Sequence, residues 1–348
     1  MERESGVIFY STVAARQLSD YGIQIPLLPE RIDRTLAHIQ SLPRLKKHLQ
    51  KVDEKLVPTA QDFALVHDPA FLQQLFSQHE DQVQKLLLAC YECILPDGRY
   101  HRFDPKKVRG TFLELREELL LEGAGTMAAV LELASLLKAE KFGWSFFLGG
   151  GMHHARTNGP SGFCLYNDIV VALAKLRTSL SSTLPFWVVD VDAHMGDGTA
   201  SFGPQFSWLK TFSIHMARGW PLCFPNESQT ALPRILPSTM DIPIESHEAG
   251  IYNQKLKAGL EKFLDLTGKP VMALVVLGAD PFEGDALPST SKLKLTLAQM
   301  LERDIFLHKF MQHHQIPVTY VMGGGYGEET WKCYAQFFDF LDGSAHFS

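Results

Sequence analysis

Six short runs of apolar, β-branched or aromatic residues, at 6–10, 144–148, 186–191, 211–214, 271–277 and 318–322, constrain this 348-residue chain more than any other feature. Runs of this kind belong to strands buried on both faces, as in a parallel sheet covered by helices. Between them, the stretches 29–50, 69–95, 111–141, 167–180, 251–266 and 295–315 repeat apolar residues at helical spacing. The pattern predicts an α/β fold: a central, mostly parallel sheet with helices on both faces. No repeat and no Ser/Gly/Pro-rich linker divides the chain, so residues 1–348 read as one domain.

Charge and composition exclude several functions. Lys and Arg number 33 against 39 Asp and Glu, a net charge of −6, so nothing draws the chain toward nucleic acid or anionic lipid. No apolar stretch reaches the ~18 residues that span a bilayer, and the start, with Glu2, Arg3 and Glu4, is no signal peptide. Five cysteines, an odd number, form no disulfide framework and fit a reducing, cytoplasmic compartment. Cys90 and Cys93 make a lone CxxC inside LLLACYECIL, which reads as helix, so their expected role is structural.

Function is concentrated after the last five strands, in GGGMHH (149–154), DVDAHMGDG (190–198), SIH (213–215), GADP (278–281) and GGGYGEE (323–329). Ligands of open α/β sheets bind beyond the carboxyl ends of the strands. Singly, each motif has a plain reading as helix cap, glycine turn or structural histidine; together they point polar groups at one place. Asp192 and His194, two residues apart on an extended segment, emerge on the same side and can share an ion. Asp280, ending the apolar VMALVVLGAD, is the best third ligand, because a lone carboxylate there is costly to bury. Two carboxylates and one imidazole suit a catalytic zinc with an open position, although ferrous iron or cobalt would accept the same set.

His153 and His154 follow three glycines that let the backbone turn tightly toward this ion. Asp190 and Asp197 flank the metal motif and can each fix the tautomer of one imidazole. The other tandem pair, His313 and His314, reads as a solvated helix end. Tyr326, after Gly323 to Gly325, can donate its phenol to an oxyanion.

These blocks resemble the zinc-dependent histone deacetylases and their bacterial relatives, within the arginase/deacetylase superfamily. GGGMHHARTNGPSGFCLYND is similar to that family's double-histidine block, DVDAHMGDGT to its metal block, GADPFEGDALPSTSKL to its third-ligand block and MGGGYGEET to its tyrosine block. Weaker similarity, including LVHDPAFL (65–72), extends over nearly the whole chain. The resemblance implies zinc on Asp192, His194 and Asp280. It implies His154 as general base and then acid, oriented by Asp197, with His153 paired to Asp190 and acting electrostatically, and Tyr326 as oxyanion donor. It also implies a potassium ion held by Asp190, Asp192, His194, Ser213 and Ile214. An apolar channel for a lysine stem would use Phe163 and Phe224, with Gly162 in its wall and Leu287 at its rim. The implied reaction is hydrolysis of N-ε-acyl-lysine, in a peptide or protein, by activated water.

Met195 departs from the polar residue usual after the metal histidine in that family, and no rim acid for the substrate backbone can be placed. The small residues at 149–151 and around 162 leave room for an acyl group longer than acetyl. Three other functions compete with this one. A binuclear ureohydrolase would want aspartates where Gly196 and Phe282 stand, and a non-enzymatic acyl-lysine reader would not keep every catalytic position filled. Acetylpolyamine hydrolysis shares all the chemistry, but Leu287 occupies the place of the acidic gatekeeper it would want.

Overall fold

The structure, a computed structural model, describes residues 5–12, 17–26, 30–95, 97–138, 142–222 and 235–344. Its strands are β1 (Ser5–Tyr10), β2 (Tyr21–Ile23), β3 (Leu49–Lys51), β4 (Phe103–Val108), β5 (Gly143–Phe147), β6 (Phe186–Asp190), β7 (Leu209–Met216), β8 (Met240–Ile244), β9 (Ala273–Val276) and β10 (Val318–Val321). Eight of them form one sheet in the order β3-β1-β5-β10-β9-β6-β7-β8, every neighbouring pair parallel. The predicted α/β class and all six predicted strands are present. Alternate residues divide between the two faces: Val188, Leu274 and Val276 join a core under the helices Phe112–Glu132 and Asp168–Thr178. Trp187, Val189 and Val275 join a second core under Tyr252–Thr267, Leu297–His313 and Trp331–Asp342. Both faces are therefore covered, which is why β5, β6, β9 and β10 are wholly buried and read as unbroken apolar runs.

The sequence pattern is corrected at the margins of the sheet. The edge strands β3 (LQK) and β8 (MDIPI) are too short, polar or proline-broken to stand out, as edges commonly are. The antiparallel pair β2 and β4 forms a separate two-stranded sheet. The stretch 29–50 is α-helical only over Glu30–Ser41, because Pro43 disfavours helix at the residue before it, and a 3-10 turn follows at Leu45–His48. The stretch 69–95 is two helices, Pro69–Leu75 and Glu80–Cys90, and 111–141 breaks at Leu133. Cys93 lies outside the helix expected to hold both cysteines: the chain turns at Tyr91, and Glu92 takes a left-handed φ of 54°. Cys90 and Cys93 are both buried and unbonded to one another.

Candidate active site

Adjacent strands β5, β10, β9 and β6 end side by side, so their following loops converge. Asp192, His194 and Asp280 are buried there, with one ligand atom from each within 4.8 Å of the others. His194 Nδ1 lies 3.0 Å from Asp280 Oδ2 and 3.2 Å from Asp192 Oδ1. Its Nε2 faces Ser289 Oγ at 3.0 Å, which leaves Nδ1 turned to the carboxylates. Backbone amides hold the acids in place: Ala193 N donates to Asp280 Oδ1 (2.9 Å) and Gly324 N to Asp192 Oδ2 (3.0 Å). Asp280 Oδ2, fully buried, accepts no hydrogen bond despite the nearby imidazole. Burial, then the Asp192 charge, raises the Asp280 carboxyl to about 7, while the two carboxylates overcome burial and push His194 up to about 10. Two acids held this close out of water call for a positive charge between them, and the hard donor set with one unused buried oxygen fits a divalent cation.

The glycine loop 149–151 delivers two histidines beside this group, their ring centroids 3.8 Å apart. Asp168, in the first turn of its helix, anchors that loop by accepting from Gly151 N (3.0 Å), Met152 N (2.7 Å) and Thr126 Oγ1 (2.5 Å). His153 Nδ1 lies 2.6 Å from Asp190 Oδ2, and His154 Nδ1 lies 2.8 Å from Asp197 Oδ1. Arg156 Nη2 donates to the other oxygen of Asp197 at 2.6 Å. Although burial opposes charge on His153, Asp190 and Asp192 outweigh it and raise the imidazole to about 9. Burial and the charge of His153 depress His154 to about 3. One imidazole of the pair is thus cationic near neutrality and the other neutral.

A cavity of about 460 Å³ opens onto these groups, lined by His154 and His194 at its base, then Gly162, Phe163, Trp220, Leu287 and Tyr326, with Glu92, Arg102 and Lys292 toward solvent. Gly162, Phe163 and Leu287, the residues expected for a channel, all line this cavity. Phe224, the expected second aromatic wall, lies outside the described residues. Trp220 supplies an aromatic wall that the sequence reading missed: its ring is edge-on to His154 (4.4 Å) and His194 (5.7 Å). Phe163 meets Tyr326 edge-on at 6.3 Å. Burial, then Asp280 and Asp192, hold the Tyr326 phenol well above its ordinary range, so it stays a proton donor. Glu92 is the mouth carboxylate that no motif signalled; the helix end at Cys90 presents it. His215, by contrast, bonds Met216 O and stays out of the cavity lining.

The expected space at the glycines is not there. A Cβ on Gly151 would stand 2.9 Å from Gly323 Cα, and one on Gly162 would stand 2.2 Å from the Trp220 ring, so these glycines serve close backbone approach. Gly196 likewise faces Asp190 Oδ2, 2.3 Å from where a Cβ would lie, and Phe282 is buried in the core. Gly196 has no room for a carboxylate, and at 282 an apolar ring packs in the core where a second metal would need one.

Fold and site together define a hydrolase-type α/β protein with a buried Asp-His-Asp group that fits a metal site. Residues 25–339 match the family described as "Histone deacetylase domain", and the chain belongs to the histone deacetylase family. It is 26% identical over 310 residues to "Histone deacetylase 8" of Xenopus tropicalis, spanning 86% of this chain and 74% of that one. It is 29% identical over 213 residues to "Acetoin utilization protein AcuC" of Staphylococcus aureus strain COL, spanning 60% of this chain and 52% of the relative. Among solved structures, an HDAC homolog complexed with SAHA superposes with a TM-score of 0.69 at 21% identity, covering 97% of this chain and 84% of that one. An HDAC homolog from Aquifex aeolicus gives 0.66 at 19% identity, covering 98% and 84%. At that identity the superpositions speak for the fold. No helix among the described residues is long and apolar enough to cross a membrane.

Proposed function

We propose that this chain is a zinc-dependent hydrolase of N-ε-acyl-lysine amides, acting as a single catalytic unit. The observation that carries the reading is the buried Asp192, His194 and Asp280 group, whose His194 lines the same cavity as His154 and Tyr326. When bound by those three ligands, zinc supplies Lewis acidity to the amide carbonyl and acidifies water. His154, neutral and aligned by Asp197, takes a proton from the attacking water and returns it to the departing nitrogen. His153, held charged by Asp190, adds positive potential beside the developing oxyanion. Tyr326 donates its phenol to that oxyanion. Phe163 and Trp220 flank the methylene stem of a lysine whose charge acylation has removed, and free lysine would strand its ammonium there.

Asp190 and Ser213 are register partners on β6 and β7, which supports a potassium ion held by Asp190, Asp192, His194, Ser213 and Ile214. Cys90, Cys93, Cys164 and Cys333 are buried and form no disulfide, which supports a reducing, cytoplasmic setting. Glu92 at the cavity mouth favours a second reading, hydrolysis of acetylpolyamines, because a carboxylate there can face a second ammonium.

An activity panel of acetyl-lysine peptides, longer acyl-lysine peptides and acetylpolyamines on zinc-loaded protein tests both. Acyl-lysine cleavage is expected to dominate, and Asp192→Asn to lower metal content and turnover together. Preference for acetylpolyamines over every peptide would establish the second reading. Two tightly bound zinc ions per chain, or full metal content in Asp192→Asn with Asp280→Asn, would overturn the site assignment.

A further inference from the structure

Arg303 is fully buried on the helix Leu297–His313, a place where an unpaired charge costs several kcal/mol. Its Nε donates to Asp304 Oδ1 at 2.7 Å. Its Nη1 donates twice, to Val191 O at 3.1 Å and to Gly278 O at 2.9 Å. Those carbonyls lie just beyond the ends of β6 and β9, neighbours in the sheet, where the ladder no longer supplies donors. Val191 immediately precedes Asp192, and Gly278 stands two residues before Asp280. One nitrogen therefore bridges the two loops that carry the two acidic ligands of the candidate metal site.

We infer that Arg303 is a positioning residue that fixes the separation of the Asp192 and Asp280 loops and so sets metal affinity. The inference rests on the metal-site reading proposed above. The pair with Asp304 uses Nε alone, so the two bonds from Nη1 to the strand-end carbonyls are made in addition to it. The two N–H groups of Nη1 diverge in the plane of the guanidinium, one toward each carbonyl, while Nε holds Asp304; lysine, a point charge on a flexible stem, lacks that fixed geometry. Supporting groups around metal ligands commonly govern affinity by 10- to 100-fold.

The test measures zinc affinity by competition with a chromophoric chelator, beside thermal unfolding and steady-state kinetics. Arg303→Met is expected to weaken zinc binding by about 10- to 100-fold and to lower kcat at subsaturating zinc with little change in KM. Arg303→Lys should recover part of the affinity. Leu307→Ala, one turn along the same helix and also buried, should lower stability without changing zinc affinity. In the wild-type chain, where folding is not in question, stripping zinc should shift the guanidinium NMR signals of Arg303. Those of Arg116, buried elsewhere on Leu75 O and Ser77 O, should stay put. A folded Arg303→Met with unchanged affinity, or Arg303 signals that zinc removal leaves unmoved, overturns the inference. Wild-type protein that binds no zinc overturns the metal-site reading instead.

Discussion

Two adjacent imidazoles differ in charge because two carboxylates outweigh burial at one, while burial beside a cation prevails at the other. His153 gains from Asp190 and Asp192 against its burial, whereas His154 is buried beside a cation and its partner Asp197 is shared with Arg156. With His154 as the base, activity falls only when that imidazole is protonated, so the acidic limb of kcat/KM should lie below the ordinary histidine value of about 6.5. Asp190→Asn removes the charge that keeps His153 cationic. Repulsion on His154 then falls, its basicity rises, and the acidic limb should move up toward 6.5. Profiles of the two proteins that superimpose would separate His153 from the base. Tyr326→Phe should leave zinc binding and unfolding temperature unchanged while lowering kcat by about two to three orders of magnitude, the usual cost of one oxyanion donor. An unaltered kcat would show that the phenol is aimed elsewhere. The chemical residues were legible because each sits in a strand-end motif with a partner a few residues away. Trp220 and Glu92 were not, since an aromatic after a strand and an acid after a helix look like ordinary loop residues until the fold brings them to one cavity.

Short elements hold these residues still. Asn167 caps the helix Asp168–Thr178 by accepting from Val170 N, and its Nδ2 reaches back to Ala155 O and Thr199 Oγ1, joining the helix to the histidine and metal loops. Asn167 N in turn donates to His67 Nε2 at 3.3 Å, while His67 Nδ1 faces Thr157 O at 3.2 Å, so the neutral ring is fully used. Burial depresses His67 to about 4. The unfolded chain takes up this proton first, near pH 6.5. The stabilisation from neutral His67 is therefore whole above 6.5 and declines as pH falls toward 4, by roughly 3 kcal/mol in all. Urea midpoints between pH 4 and 7.5 should slope less in His67→Gln, and equal slopes would remove His67 from the acid response. Asp168→Asn places amide hydrogens where two backbone N–H groups need an acceptor, at a cost of about 1–3 kcal/mol. It should also lower kcat by loosening the loop that carries His153 and His154; intact kcat in a destabilised variant would confine Asp168 to folding. Neither role was visible in sequence. LVHDPAFL and YND look like an ordinary helix start and an ordinary cap; the partners of His67 lie 90 and 100 residues away, and those of Asp168 lie 16 to 42 away.

At the scale of the molecule, a likeness at 19–21% identity speaks for the fold and leaves open what enters the cavity. The buried strands and the loops at their carboxyl ends were readable because covering a parallel sheet on both faces demands unbroken apolar runs. The cavity mouth was not readable, because it is assembled from the turn after Cys90, the loop at Arg102 and the segment after Leu287, none of which carries a periodic signal. On the proposed function, selectivity would rest on a balance among Glu92, Leu287, Arg102 and Lys292, which line the cavity. Leu287, buried and apolar, presents no charge to a second ammonium, and the two cations at the mouth oppose one. Leu287→Glu should raise the kcat/KM ratio of acetylpolyamine to acetyl-lysine peptide by about five- to tenfold, the worth of ~1 kcal/mol for one added ion pair. Glu92→Gln in the wild-type background separates the two substrate readings. If the lysine reading holds, both substrate classes respond alike or the peptide suffers more. If polyamines are the substrates, the loss falls on them, and Leu287→Glu then adds little because an acidic partner already serves that ammonium.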